Sequence, residues 1–331
     1  MTAPESSASQ LILRFRRWLA WGIFLAALLY LGLSLWFTDL GSVAGAFAAF
    51  SWPMYLAVLG LTLVNYSLRF WKWHYLIGRL GVTIPASEDL VIFGSGLAMV
   101  ISPGKAGELL KPWLVRMKSG VAMTHTVPAL VTERLTDGIA VLILAAISVT
   151  TYAGDKVEYV VVPIGVCAVG LGVLMHERLS LSILGLLSRL PLISRVGDKL
   201  TDMYRAMRVC VAPAPLAATL TASLIAWGAE CVGYMLIFRG FGVEASLDVS
   251  TFLYAFATVA GGAMPGGLGV ADGALVGGAL KLVPGVSEPV AVAASLLIRG
   301  ATLWFGVMIG AVAVLRASKI LDATNTPDSA P

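Results

Sequence analysis

Residues 19–37 read LAWGIFLAALLYLGLSLWF, an apolar run without a charge. A helix of about 20 such residues, rising 1.5 Å each, crosses the ~30 Å hydrocarbon core of a bilayer. Runs of this kind recur along the 331 residues, of which 58% are hydrophobic and 13% charged. The mean hydropathy of +0.86 exceeds what a soluble domain needs. The chain is therefore expected to be an all-α polytopic membrane protein. Arg14, Arg16 and Arg17 precede the first run as they would a signal peptide, but the run exceeds the usual ~7–15 apolar residues and is read as a retained helix.

Full spans are expected at 19–37, 53–71, 127–150, 157–175, 214–238 and 289–314. Two further segments, 90–118 and 251–283, are broken by proline-glycine turns. Legs of 13 or 14 residues rise only about 20 Å, so these segments are expected to be re-entrant hairpins. The expected organisation is a cytoplasmic head (1–18), a first membrane half (19–175), a cytoplasmic amphipathic segment (176–213), a second membrane half (214–315) and a disordered cytoplasmic tail (316–331).

Basic residues test this parity. With both hairpins returning to their own side, 17 basic residues fall on cytoplasmic segments. They are Arg14, Arg16, Arg17, Arg69, Lys72, Arg79, Lys111, Arg116, Lys118, Arg178, Arg189, Arg195, Lys199, Arg205, Arg208, Arg316 and Lys319. Lys156, Arg239 and Lys281 remain outside, so both termini are expected in the cytoplasm and the protein in the inner (plasma) membrane. Pro103-Gly104-Lys105-Ala106-Gly107 and Pro265-Gly266-Gly267-Leu268-Gly269 share the pattern P-G-x-x-G, and each precedes an arginine, Arg134 or Arg299, by some thirty residues. Opposite parity of the two units predicts an inverted repeat with binding near the midplane.

Eight ionisable residues fall within expected spans or hairpins: Lys105, Glu108, Glu133, Arg134, Asp137, Glu230, Asp272 and Arg299. At roughly 2.5–3.5 kcal/mol each, none can face lipid unpaired. Glu133 and Asp137 are four apart on one helical face, and Arg134 reaches Asp137. The cluster is either a headgroup path or a structural ion-pair network. Glu230 and Arg299 are expected to neutralise each other or Asp272. Free N–H groups at the hairpin tips, with Lys105, favour an anion such as phosphate, and Gly266, Gly267 and Gly269 permit close approach. Gly269, Gly273 and Gly277 form GxxxGxxxG, expected to pack against another helix.

Other signals exclude functions. Cys167, Cys210 and Cys231 are scattered singletons, and His74, His125 and His176 lack HExxH spacing, so neither disulfide nor metal is expected. The net charge of +4 comes without a basic block interleaved with aromatics, which excludes nucleic acid as a partner. Trp52, Trp71, Trp73 and Trp113 are read as interface anchors. No GxxxxGK[ST] exists for ATP hydrolysis, and no cofactor is implied.

The segments PGKAGELLKPWLVR (103–116), ERLTDGIAVL (133–142), PGGLGVADGALV (265–276) and RGATLWFGVMIGAV (299–312) resemble, in order and spacing, the flippase-like membrane proteins related to the transmembrane region of lysylphosphatidylglycerol synthase. The resemblance implies about eight membrane segments and movement of an aminoacyl-, glyco- or other polar-headed lipid between leaflets. By motif match it implies roles for Gly104, Gly107, Glu108, Lys111, Arg116, Glu133, Arg134, Asp137, Pro265, Gly266, Gly267, Gly269 and Arg299. Pro103, Lys105, Glu230 and Asp272 join them as candidate substrate-binding residues. Asp272 replaces the family's common glutamate, and no aminoacyltransferase domain follows residue 331, so lipid-modifying activity is expected to be absent. The expected function is a non-enzymatic lipid flippase or scramblase-like transporter, with a membrane lipid as substrate and an ion or proton as possible coupling partner. Its alternatives are an ion-coupled transporter of a small anion and a membrane enzyme acting on lipid phosphates.

Overall fold

The structure is a computed structural model and describes residues 32, 39–152, 158–187, 197–262 and 264–325. Those residues fold into helices and turns, with no strand among them. The expected span 19–37 and the head 1–18 lie outside the described residues, apart from Gly32.

Helix α1 is Leu40–Ala49, started by Asp39, whose carboxylate accepts the Ser42 N–H at 2.9 Å. Next, α2 (Trp52–Arg79) carries proline in its first turn, where no N–H is missed, and ends at Gly81, whose φ of 76° lets Val82 N–H reach back to Ile77 O at 3.1 Å. Helix α3 (Ala86–Ala98) gives way to tight turns at Met99–Ile101 and Pro103–Leu109 before α4 (Leu110–Ser119). The break follows from Pro103, which forces Ser102 into extended backbone. Ser102 Oγ then accepts from Gly107 N–H at 2.8 Å and donates to Met99 O at 2.6 Å, replacing helical bonds that the turn gives up. Helix α5 is Met123–Tyr152, followed by α6 (Glu158–Met175), α7 (Glu177–Leu187) and α8 (Gly197–Cys210).

The second half repeats the first locally. Helix α9 (Pro213–Gly240) again opens with proline and closes at Gly242 (φ 71°), with Val243 N–H bonded to Phe238 O. Asn65 Nδ2 donates to Ala226 O at 3.0 Å across 161 positions, the spacing that also separates Trp52 from Pro213, Gly81 from Gly242 and Arg69 from Glu230. Helix α10 (Leu247–Ala260), a turn at Pro265–Gly267 and α11 (Val270–Leu282) form the second broken segment. Helix α12 (Glu288–Arg299) passes through a π turn at Gly300–Trp304 into α13 (Phe305–Asn325).

Packing between the halves is reciprocal. Helix α2 lies along α9, while α13 packs on α3 and α5 packs on α10. Gly310 makes the α13–α3 approach possible, because a Cβ there would come within 2.8 Å of Ala98 Cα. The two broken segments meet at their turns, where Met99–Ile101 and Pro103–Leu109 touch Pro265–Gly267. One large apolar cluster joins Val58, Tyr234, Phe238, Leu253, Leu275 and Ile298 around α9. Another joins Trp73, Leu76, Ile77, Phe93 and Leu114 around α2.

Several expectations are corrected. The broken segments run from Ala86 to Ser119 and from Leu247 to Leu282, starting about four residues earlier than the apolar pattern suggested. Pro85 and Ser246 start these helices, and Ser246 Oγ accepts the Val249 N–H. Helix α13 continues through 316–325, part of the expected disordered tail. Among the described residues, Pro213–Gly240 and Glu288–Ala317 are long and apolar enough to cross a membrane, and α1 with α2, bent by 86°, passes the same test if the pair is taken as one span. Helices α2 and α5 carry internal charges that lower their apolar content. Trp73 is fully buried, not interfacial, and its indole N–H donates to Asp89 Oδ1 at 2.8 Å. A Cβ on Gly269, Gly273 or Gly277 would meet nothing within 4 Å, so among the described residues no other helix packs closely on the glycine stripe.

Candidate functional site

Helix α2 buries a stripe at helical spacing, Val58, Thr62, Asn65, Tyr66, Arg69, Lys72 and Leu76, so two of its three cations point inward with its apolar residues. Helix α5 faces them with Glu133, Arg134 and Asp137, and the first broken segment adds Glu108 and Lys111. The result is one connected ion-pair network.

Asp137 is bound by Lys72, and both hold Ser223 of α9, Lys72 donating to its Oγ at 2.6 Å and Ser223 Oγ donating to Asp137 Oδ1 at 2.9 Å. Lys111 Nζ donates to Glu133 Oε2 at 2.5 Å and lies 4.5 Å from the Trp73 ring centroid, where the ring face favours its charge. Arg134 contacts Glu133, stands 3.2 Å from Glu108 and 3.6 Å from Asp137. Arg69 reaches Glu133 and Asp137 at 3.8 Å each, and its buried Nε makes no hydrogen bond. Lys72 and Glu133 are fully enclosed, whereas the Arg134 side chain keeps 27% exposure. Charged groups so enclosed are tolerated because each meets an opposite charge; losing one partner strands the other at several kcal/mol.

The second centre sits at the other turn. Arg299 of α12 pairs with Asp272 at 3.2 Å and donates to Gly266 O. Gly266 and Gly267 are buried with φ of 59° and 71°, a conformation that L side chains rarely adopt. Gly269 N–H is capped by Asp272 Oδ2 at 2.9 Å. Glu230 of α9 is buried and accepts from Tyr254 Oη at 2.6 Å.

Of the expected site residues, Glu108, Lys111, Glu133, Arg134 and Asp137 converge, and Pro265, Gly266, Gly267, Gly269, Asp272 and Arg299 gather at the second turn. Pro103, Gly104, Lys105 and Gly107 belong to the first turn, which touches the second. Arg116 is exposed in the last turn of α4 and stands apart. Glu230 pairs with neither Arg299 nor Asp272 but with Tyr254. Arg69, Lys72 and Lys111, expected on cytoplasmic segments, are instead buried in the network. Ser223, Asn65 and Tyr254 were missed outright. A signal for Arg69 and Lys72 existed, since they lie three apart on the stripe of Thr62, Asn65 and Leu76.

A family model described as the lysylphosphatidylglycerol synthase TM region matches residues 18–310. The chain belongs to this family. The match spans both broken segments and both charge centres, so the lysylphosphatidylglycerol synthase TM region is the unit that carries the site. A UPF0104 membrane protein of Methanothermobacter thermautotrophicus is 24% identical over 308 residues, which cover 87% of this chain and 90% of that protein. This family member is accordingly a membrane protein, and its all-helical fold agrees with that.

Proposed function

We propose that this protein moves a polar-headed lipid between bilayer leaflets without chemically altering it. The observation that carries the reading is a charge imbalance in the network. Within 4 Å of one another stand Arg69, Lys72, Lys111 and Arg134 and the carboxylates of Glu108, Glu133 and Asp137, four cations against three anions, while Asp89, the further carboxylate near Lys111, is held by Trp73 and His74. Arg134 is the partly exposed member. A surplus positive charge in a low-dielectric interior is satisfied by an anion, and a lipid phosphate supplies one while its acyl chains stay in the bilayer.

The same reading sets the topology. Six spans with two re-entrant hairpins, entered from opposite faces, agree with the reciprocal packing of the halves and with turns that meet. Broken backbone in a membrane is tolerated where protein or a water-filled cavity receives it, which suits the contact of the two turns. Without Arg69, Lys72 and Lys111, fourteen of the 17 basic residues remain on the cytoplasmic segments against Lys156, Arg239 and Lys281 outside. That bias supports cytoplasmic termini and residence in the plasma membrane.

The test is reconstitution into liposomes with a leaflet-accessibility assay on fluorescent phosphatidylglycerol, lysylphosphatidylglycerol, phosphatidylcholine and a polyprenyl phosphate. Faster exchange of at least one charged lipid than in empty liposomes is expected. Movement of free phosphate without any lipid would replace this reading with that of a small-anion transporter, and a chemically altered lipid would replace it with that of an enzyme.

A further inference from the structure

Glu230 lies inside α9 and is 4% exposed. Among the described residues its carboxylate forms no ion pair, and Tyr254 Oη at 2.6 Å is its hydrogen-bond donor. A buried carboxylate with one neutral donor is far costlier than the corresponding acid. Every other buried carboxylate of the central network has a cation within 4.0 Å.

The groups that face Glu230 come from four helices besides its own. Helix α2 brings Arg69 and Tyr66, α5 brings Asp137, α10 brings Tyr254, and α12 brings Arg299; Cys231 is its neighbour in sequence. Arg69 occupies the matching position of the other half, 161 residues earlier, the spacing of the Asn65–Ala226 bond. It is also the most loosely held cation of the network, at 3.8 Å from both carboxylates with a buried Nε lacking a hydrogen bond. An ionised Glu230 offers Arg69 a competing partner and lowers the charge of the site from +1 to zero, four cations then facing four carboxylates.

We propose that Glu230 is a proton-binding site linked to the anion: the neutral acid leaves the network its surplus positive charge, and the ionised acid cancels it. A proton taken from water forms the Glu230 O–H, which donates to Tyr254 Oη once the tyrosine O–H turns from the carboxylate. Arg69 of one centre and Arg299 of the other both act on Glu230, so its proton is felt at both charge centres. By reciprocity, a proton that favours the anion is itself favoured by the anion. Lipid and proton then move together. This rests on the transport reading only for the identity of the anion.

The experiment uses the purified full chain in neutral detergent, with fluorescent phosphatidylglycerol as probe and fluorescent phosphatidylcholine as control, from about pH 5 to 9. Wild-type affinity for phosphatidylglycerol should fall with rising pH by about tenfold or more in total, one linked proton giving at most about tenfold per pH unit. In Glu230→Gln the change over the same range should stay within about twofold. In parallel, difference infrared spectra should show the carbonyl stretch of a protonated carboxylic acid, lost on raising the pH and absent from Glu230→Gln. Should the Gln variant fail to fold, Tyr254→Phe should keep the pH slope but shift its midpoint. A flat wild-type profile, an unchanged slope in Glu230→Gln, or a wild type without the infrared band overturns the proposal. Phosphatidylglycerol binding no better than phosphatidylcholine at every pH overturns the headgroup reading, and the infrared band then decides the proton site by itself.

Discussion

Lys111 Nζ sits 2.5 Å from Glu133 Oε2, both side chains enclosed, and joins the segment after the first proline-glycine turn to α5. Lys111 also fills the space beside Gly96, where a Cβ would come within 2.8 Å of its stem. The pair therefore locks α3, α4 and α5 to each other. Lys111→Met should lower stability by about 3–5 kcal/mol, because Glu133 is left short of a partner. Lys111→Met with Glu133→Gln should recover much of it. Thermal unfolding in detergent checks both, and full additivity of the two losses would mean the residues do not interact.

Glu108 and Arg134 separate structure from function. Glu108 meets the network through Arg134, and its Oε1 makes no hydrogen bond. Arg134→Gln should destabilise by stranding Glu108, and the added Glu108→Gln should restore folding. Lipid exchange should stay lost in the double variant if Arg134 receives the headgroup. Full exchange there would assign the pair a purely structural role.

Gly267 is buried with φ 71°, and a Cβ on it would lie 3.3 Å from Ala271 Cβ and 3.6 Å from Arg299 Nη2. The left-handed backbone costs a side chain about 1–2 kcal/mol before any clash. Gly267→Leu should reach the membrane yet abolish lipid exchange, because the turn and Arg299 cannot both keep their places. Normal exchange in liposomes would make the second turn a packing element.

Two helical glycines should respond in opposite ways. Gly310→Ala drives a methyl into the Ala98 backbone and should cost about 1–3 kcal/mol by forcing α13 from α3. Gly277→Ala meets nothing within 4 Å and should be neutral or stabilising by up to about 1 kcal/mol. Equal melting temperatures for the two variants would contradict the close α13–α3 approach.

Orientation is open to single-cysteine labelling at exposed Ser119, the last residue of α4. With Cys167 replaced and Cys210 and Cys231 buried, an impermeant maleimide should label Ser119→Cys from the cytoplasmic side only. Labelling from the other side would refute both the parity of the hairpins and the inverted repeat.

Apolar runs too long for a soluble core made the all-helical membrane class legible from sequence, because lipid admits only backbone that bonds to itself. Both proline-glycine breaks were legible for the same kind of reason, since Pro103 and Pro265 cannot continue a helix whatever surrounds them. The spacing of Glu133, Arg134 and Asp137 fixed their shared face, for helical periodicity is a local property. Partner choice was not local. Arg69 and Lys72 sit near the end of an apolar run and read as loop charges until α2 is laid against α5, where Asp137 waits for Lys72. Glu230 read as a counter-charge to Arg299, but the crossing of α9 and α10 brings Tyr254 to it instead. Sequence determined which residues must be satisfied in the interior. Tertiary structure decided by whom, because side chains 65 or 151 positions apart, like Lys72 with Asp137 and Ser223, meet only when helices pack.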